Sequence, residues 1–103
     1  AVVVYYPAPQ HIWSADNFVS EIKVTTLMFA GVRDNYHNCC SIETARKLAD
    51  AAKKREGKVM LEVFEYPNAE HGFIIKSLKA WLPTDAADAF RRTLSHLRQY
   101  SGE

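Results

Sequence analysis

The stretch Val24-Thr25-Thr26-Leu27-Met28-Phe29-Ala30, closed by Gly31 and followed by Val32-Arg33-Asp34, decides the fold class. It is a continuous apolar and β-branched run rather than an alternating one. That is the composition of a strand covered on both faces, as in a parallel sheet. Upstream, Ala1-Val2-Val3-Val4-Tyr5-Tyr6 is a second run of this kind, stopped by Pro7 and Pro9. Residues 7–24 between them mix Pro, Gln, Ser, Asp and Asn with isolated apolar residues. They read as an irregular connection with a short helical turn around Ala15 to Glu21.

Downstream, Ser41 is a plausible N-cap, and Glu43 lies in the first turn, where the helix dipole favours an acid. Ile42, Ala45, Leu48, Ala49 and Ala52 recur at helical spacing, Lys53-Lys54-Arg55 fill the last turn, and Gly57 marks the stop. Val59 to Phe64 is a third strand ended by Tyr66-Pro67, and its Glu62 and Glu65 place it nearer a sheet edge. A long loop, 68–83, contains His71-Gly72. The last helix is expected after Pro83, with Thr84 or Asp85 as cap and Phe90, Leu94, Leu97 and Tyr100 as its apolar stripe. Leu82 would staple it to the core. The order β, irregular, β, α, β, α predicts an α/β fold with a parallel sheet, right-handed crossovers and flanking helices. No internal repeat, low-complexity tract or linker divides the chain.

Composition agrees with one compact domain. The chain has 103 residues, 48% apolar and 24% charged, which excludes a disordered tail, a collagen-like repeat and a disulfide-dense miniprotein. A formal charge of +1 without a basic block gives nucleic-acid binding no support. No apolar run approaches the roughly 20 residues of a membrane span, and no signal peptide is visible. Two adjacent cysteines, Cys39 and Cys40, suggest reduced thiols and a cytoplasmic setting. The chain opens on Ala1, inside an apolar run, as part of a larger domain would.

In an open parallel sheet, ligands bind outside the carboxyl ends of the strands. Asp34 falls just past the second strand and His71 just past the third. Neighbouring parallel strands would bring the two loops together. A carboxylate beside an imidazole fixes its tautomer and stabilises the imidazolium formed in general-base catalysis. The plainer reading stands beside it: Asp34 caps a turn and His71 is an ordinary loop histidine. Tyr36 and Phe73 flank the pair and are expected to line a substrate pocket, with core packing as the rival reading. Trp13 and Trp81 could line it too, whereas Phe18 reads as core. His11 and His96 read as surface or satisfied core residues.

Thr26-Leu27-Met28-Phe29-Ala30-Gly31-x-x-Asp34, a helix, then Val63-Phe64-Glu65-Tyr66-Pro67-x-Ala69-x-His71-Gly72-Phe73 resembles the C-terminal half of the dienelactone hydrolase family. Those proteins are α/β-hydrolases. Ala86 to Leu94 is similar to the family's last helix, and Val2 to Tyr6 to its sixth strand. The resemblance implies that residues 1–103 are the C-terminal part (β-β-α-β-α) of a larger α/β-hydrolase domain. It makes Asp34 the triad acid and His71 the triad base. It implies small ester or lactone substrates, cyclic enol esters such as dienelactone among them, and no metal or organic cofactor. The family's nucleophile sits on a Gly-x-Ser-x-Gly turn or its cysteine variant, upstream of the first strand here. No such turn lies between Ala1 and Asp34, and neither Ser14 nor Ser20 has flanking glycines. The chain alone is therefore expected to be inactive.

Two rival readings remain. A non-catalytic module would assemble through the edge formed by Val2, Val3 and Val4, with a second copy or with a chain carrying the nucleophile. A thiol or metal protein would use Cys39 and Cys40, with His37 and His71 as further ligands. That spacing matches none of the common zinc patterns.

Overall fold

The computed structural model describes residues 1–6, 14–36 and 40–103. The expectations placed on Pro7, Pro9, His11, Trp13, His37 and Cys39 lie outside the described residues. The elements are β1 (Val2–Tyr5), α1 (Ala15–Ser20), β2 (Thr26–Gly31), α2 (Ile42–Lys54), β3 (Leu61–Tyr66) and α3 (Pro83–Gln99). The strands form one parallel sheet in the order β1-β2-β3, with Val4 opposite Met28 and Met28 opposite Val63. The chain is thus an α/β protein with a parallel sheet, as its continuous apolar runs require.

All of β2 is buried, because helices cover it from both sides. Its alternating side chains divide the core. Met28 packs with Val19 of α1, Leu48, Ala51 and Ala52 of α2, and Leu61. Leu27 and Phe29 point the other way, into a cluster with Tyr66, Ala69, Phe73 and Ala89 of α3. Phe29, Leu48 and Phe73 are completely buried, so the largest apolar side chains are spent at the middle of the sheet.

The helix signals locate α2 closely. Ser41 is its N-cap, with Oγ accepting from Thr44 N–H, and the helix stops at Arg55 rather than at Gly57. Arg55 reaches back to α1, its Nη1 donating to the Val19 and Ile22 carbonyls at 2.9 and 3.0 Å. Those contacts tie the C-terminal end of α1 to the end of α2.

The last helix differs from expectation in two ways. It starts at Pro83 itself, which has no N–H to satisfy and a φ already suited to the first turn. Thr84 and Asp85 therefore lie inside the helix, and Leu82 is the N-cap residue. Its inward face is also not the apolar stripe. Phe90 is 63% exposed and Leu97 40%, whereas Ala89 and His96 are buried. Small Ala89 lets the helix lie close to the sheet, and Thr93 Oγ1 hydrogen-bonds the Tyr5 hydroxyl there. His96 is a satisfied core residue whose Nε2 donates to the Thr25 carbonyl at 3.2 Å. On the first helix, Val19 rather than Phe18 faces inward, and Phe18 is corrected to an exposed position. Among the described residues, no helix is long and apolar enough to cross a membrane.

The far end of β3 is tied to α3 by polar contacts. Tyr66 OH donates to Asp88 Oδ2 at 2.8 Å, and Arg92 and Arg91 bracket the same carboxylate. The Arg92 hydrogen bond, reinforced by Tyr66, holds the Asp88 carboxyl at about 2. It therefore stays ionised in any mildly acidic buffer, and the link weakens only as pH falls towards that value.

Candidate active site

Two strand ends build the site. At the end of β2, Gly31 opens the turn that carries Asp34, with Asp34 N–H donating to the Gly31 carbonyl at 3.1 Å. Beyond β3, residues 67–73 fold back over that turn. Val32 N–H donates to the Tyr66 carbonyl and Arg33 N–H to the Ala69 carbonyl, both at 3.0 Å. The two loops are therefore stitched together backbone to backbone before any side chain meets.

The side chains then meet across this seam. Asp34 is buried, and its Oδ2 accepts from His71 Nδ1 at 3.0 Å. Its Oδ1 accepts from Tyr36 N–H at 3.2 Å, so both carboxylate oxygens are held. His71 is partly open, its side chain 29% exposed. With a carboxylate as partner, Nδ1 carries the proton and Nε2 the lone pair. That is the form an imidazole needs to take up a proton on one side while a carboxylate steadies the other.

Two aromatic rings enclose the imidazole. Tyr36 stacks on it at 4.6 Å with a 14° interplanar angle, and Tyr6 lies 4.6 Å away at 41°. Tyr6 stands at the end of β1 with φ at 55°, the left-handed region that side chains seldom adopt. Its hydroxyl accepts from Ile74 N–H at 3.0 Å, which ties β1 to the segment after His71. Burial, with the Asp34 charge adding to it, pushes the Tyr6 phenol up, so it stays protonated. All three strand ends thus converge on His71.

Of the four residues singled out for the site, Asp34, His71 and Tyr36 come together. Phe73 is completely buried, in ring contact with Tyr6 and Tyr66. Gly72 between His71 and Phe73 is left-handed (φ 89°), a conformation that glycine adopts without strain. Sequence reasoning does not find Tyr6, since nothing in an apolar strand run marks its last residue as a wall of the site. Ser14 caps α1, and Ser20 Oγ donates to the Asn17 carbonyl, so both have local structural tasks.

Cys40 is also here. It is buried directly before the N-cap of α2, and it is disulfide-bonded rather than a reduced thiol. Its sulfur, an Asp34 carboxylate oxygen and a His71 ring nitrogen lie within 4.8 Å of one another.

A parallel sheet covered on both faces, with an Asp–His pair outside the carboxyl ends of its strands, defines an α/β protein with its candidate site where such sheets bind ligands. More narrowly, the chain belongs to the dienelactone hydrolase family, whose model matches residues 1–101. In fold it is similar to the crystal structure of a candidate dienelactone hydrolase from Klebsiella pneumoniae. The TM-score is 0.62 and the identity 22%, over 74% of this chain and 30% of that one. The chain therefore spans under a third of that relative's length. Among curated proteins there is no significant sequence match.

Proposed function

We propose that this chain is the C-terminal part of a carboxylic ester or lactone hydrolase, to which it supplies the acid and the base of the catalytic triad. The observation that carries this reading is the 3.0 Å contact between buried Asp34 and half-open His71. In this scheme a serine or cysteine outside residues 1–103 gives its proton to His71 Nε2 and attacks the ester carbonyl. Collapse of the tetrahedral intermediate breaks the ester C–O bond, and the imidazolium returns that proton to the leaving oxygen. Water, deprotonated by the same Nε2, then releases the acid. Asp34 Oδ2 holds the Nδ1–H and so orients the ring. The ring of Tyr36, 54% exposed, forms one wall for a small apolar substrate.

Residues 1–103 alone should give no burst and no turnover with a chromogenic ester, whereas a polypeptide including the upstream sequence should give both. Acyl-enzyme formation on residues 1–103 by itself would overturn the assignment of the nucleophile to another segment. Absence of a Gly-x-Cys-x-Gly or Gly-x-Ser-x-Gly turn upstream of Ala1 would overturn the hydrolase reading for the parent protein.

The second reading concerns β1. Among the described residues β1 pairs only with β2, and Val2 is 41% exposed. An unpaired edge of this composition invites a further strand. A second copy or a nucleophile-bearing chain pairs along Val2, Val3 and Val4. Light scattering of residues 1–103 should show self-association that Val3→Pro abolishes, because proline removes the ladder N–H. A clean monomer at high concentration would count against it.

A further inference from the structure

The acid–histidine pair has a third close neighbour that ester hydrolysis does not use. Cys40 is 3% exposed and Asp34 5%, and both face the imidazole of His71. Thiolate sulfur, carboxylate oxygen and imidazole nitrogen are the three donor types that bind zinc, and here each comes from a different turn of the chain. We propose that reduction of the Cys40 disulfide opens a divalent transition-metal site formed by Asp34, Cys40 and His71, and that zinc bound there shuts off the proton relay.

The charges favour it. A divalent cation with one thiolate, one carboxylate and one neutral imidazole forms a complex of zero net charge, which a largely buried position tolerates. The distances are near what is needed. Donor atoms around tetrahedral zinc stand about 3.5 Å apart, given bonds of roughly 2.0–2.3 Å. The present separations reach at most 4.8 Å, so the widest must close by roughly 1 Å. The partly exposed His71 ring and a Cys40 released from its disulfide supply that movement. Three protein donors leave a fourth position for water.

As a disulfide, Cys40 has no anionic sulfur and the site is closed. A cellular thiol of the glutathione class opens it: two electrons break the S–S bond, two protein thiols form, and the reductant leaves as its own disulfide. Zinc then displaces the Cys40 thiol proton to solvent and forms the S–Zn bond. A ring nitrogen of His71 bound to metal cannot shuttle a proton, so zinc would inhibit the reduced enzyme and spare the oxidised one. That regulatory consequence rests on the hydrolase reading. Metal binding itself does not.

The test is titration of the purified protein with Co²⁺ or Zn²⁺, read by absorbance and equilibrium dialysis and needing no turnover. The reduced protein should bind about one ion per chain, with the charge-transfer band of a thiolate–cobalt bond, and the oxidised protein essentially none. Cys40→Ser should abolish the band and weaken binding by roughly 100-fold or more. His71→Gln, on a partly exposed side chain, should weaken it by at least about 10-fold. Cys39→Ser removes the chain's other thiol and should bind cobalt without any reductant. The proposal is overturned if the reduced protein takes up no stoichiometric metal, or if Cys40→Ser keeps both band and affinity. Metal binding without zinc inhibition of a working esterase would instead count against the relay role of His71.

Discussion

Replacing Asp34 with asparagine in the complete enzyme should lower kcat for a small ester by about 10⁴-fold while leaving the fold intact. The reason lies in how the two carboxylate oxygens are already engaged. Oδ1 accepts from Tyr36 N–H and Oδ2 from His71 Nδ1–H. An asparagine must keep its carbonyl oxygen toward Tyr36 N–H, because an amide NH₂ there would face another donor. Its NH₂ then faces Nδ1, which has to become the acceptor. The imidazole proton moves to Nε2, the nitrogen that should receive the nucleophile's proton, and the base is lost without loss of packing. Asparagine has the size of aspartate and retains one of its two bonds, so circular dichroism and Tm should change little. Steady-state kinetics checks the outcome. A kcat within about tenfold of the parent would remove Asp34 from the relay and leave it as the turn cap of the plainer reading.

Much of this arrangement is legible in the sequence. The buried run through Leu27-Met28-Phe29 fixes a strand covered on both sides, and Ser41 with the Ile42, Ala45, Leu48 spacing fixes the helix after it. Consecutive parallel strands then oblige the loops holding Asp34 and His71 to share one edge. What stayed hidden depends on closeness of approach. The spacing of Phe90, Leu94 and Leu97 describes an apolar stripe truthfully, yet α3 docks through Ala89 because a small residue brings the helix nearer the sheet. Phe73 follows His71 by two residues and could face either way until the turn at Gly72 is known. The positions of Tyr6 and Cys40 against His71 arise where three separate segments converge, and no local periodicity encodes that.

Gly31→Ala should be the most damaging small substitution in the chain, affecting stability and activity together. The Cβ it adds would lie 2.4 Å from the Ala69 carbonyl oxygen and 2.8 Å from its carbon. These are backbone atoms of a fully buried residue, held by the Arg33 N–H bond to that same carbonyl, so they cannot swing aside as a side-chain tip would. Relief requires the ends of β2 and β3 to separate by roughly 1 Å. Overpacking of this kind costs about 1–3 kcal/mol. For a domain near this size that lowers Tm by roughly 5–20 °C. The seam it opens is the one that sets Asp34 against His71, and a misplacement of about 1 Å near a reacting group costs on the order of 10²-fold in rate. Gly102→Ala is the control, since an added Cβ there meets nothing within 4 Å, and it should leave both quantities unchanged. Thermal unfolding of residues 1–103 and ester kinetics of the complete enzyme separate the outcomes. A Gly31→Ala protein with parental Tm would mean that the two strand ends are free to part, and the 3.0 Å Asp34–His71 contact would lose the rigid footing on which the proposed relay depends.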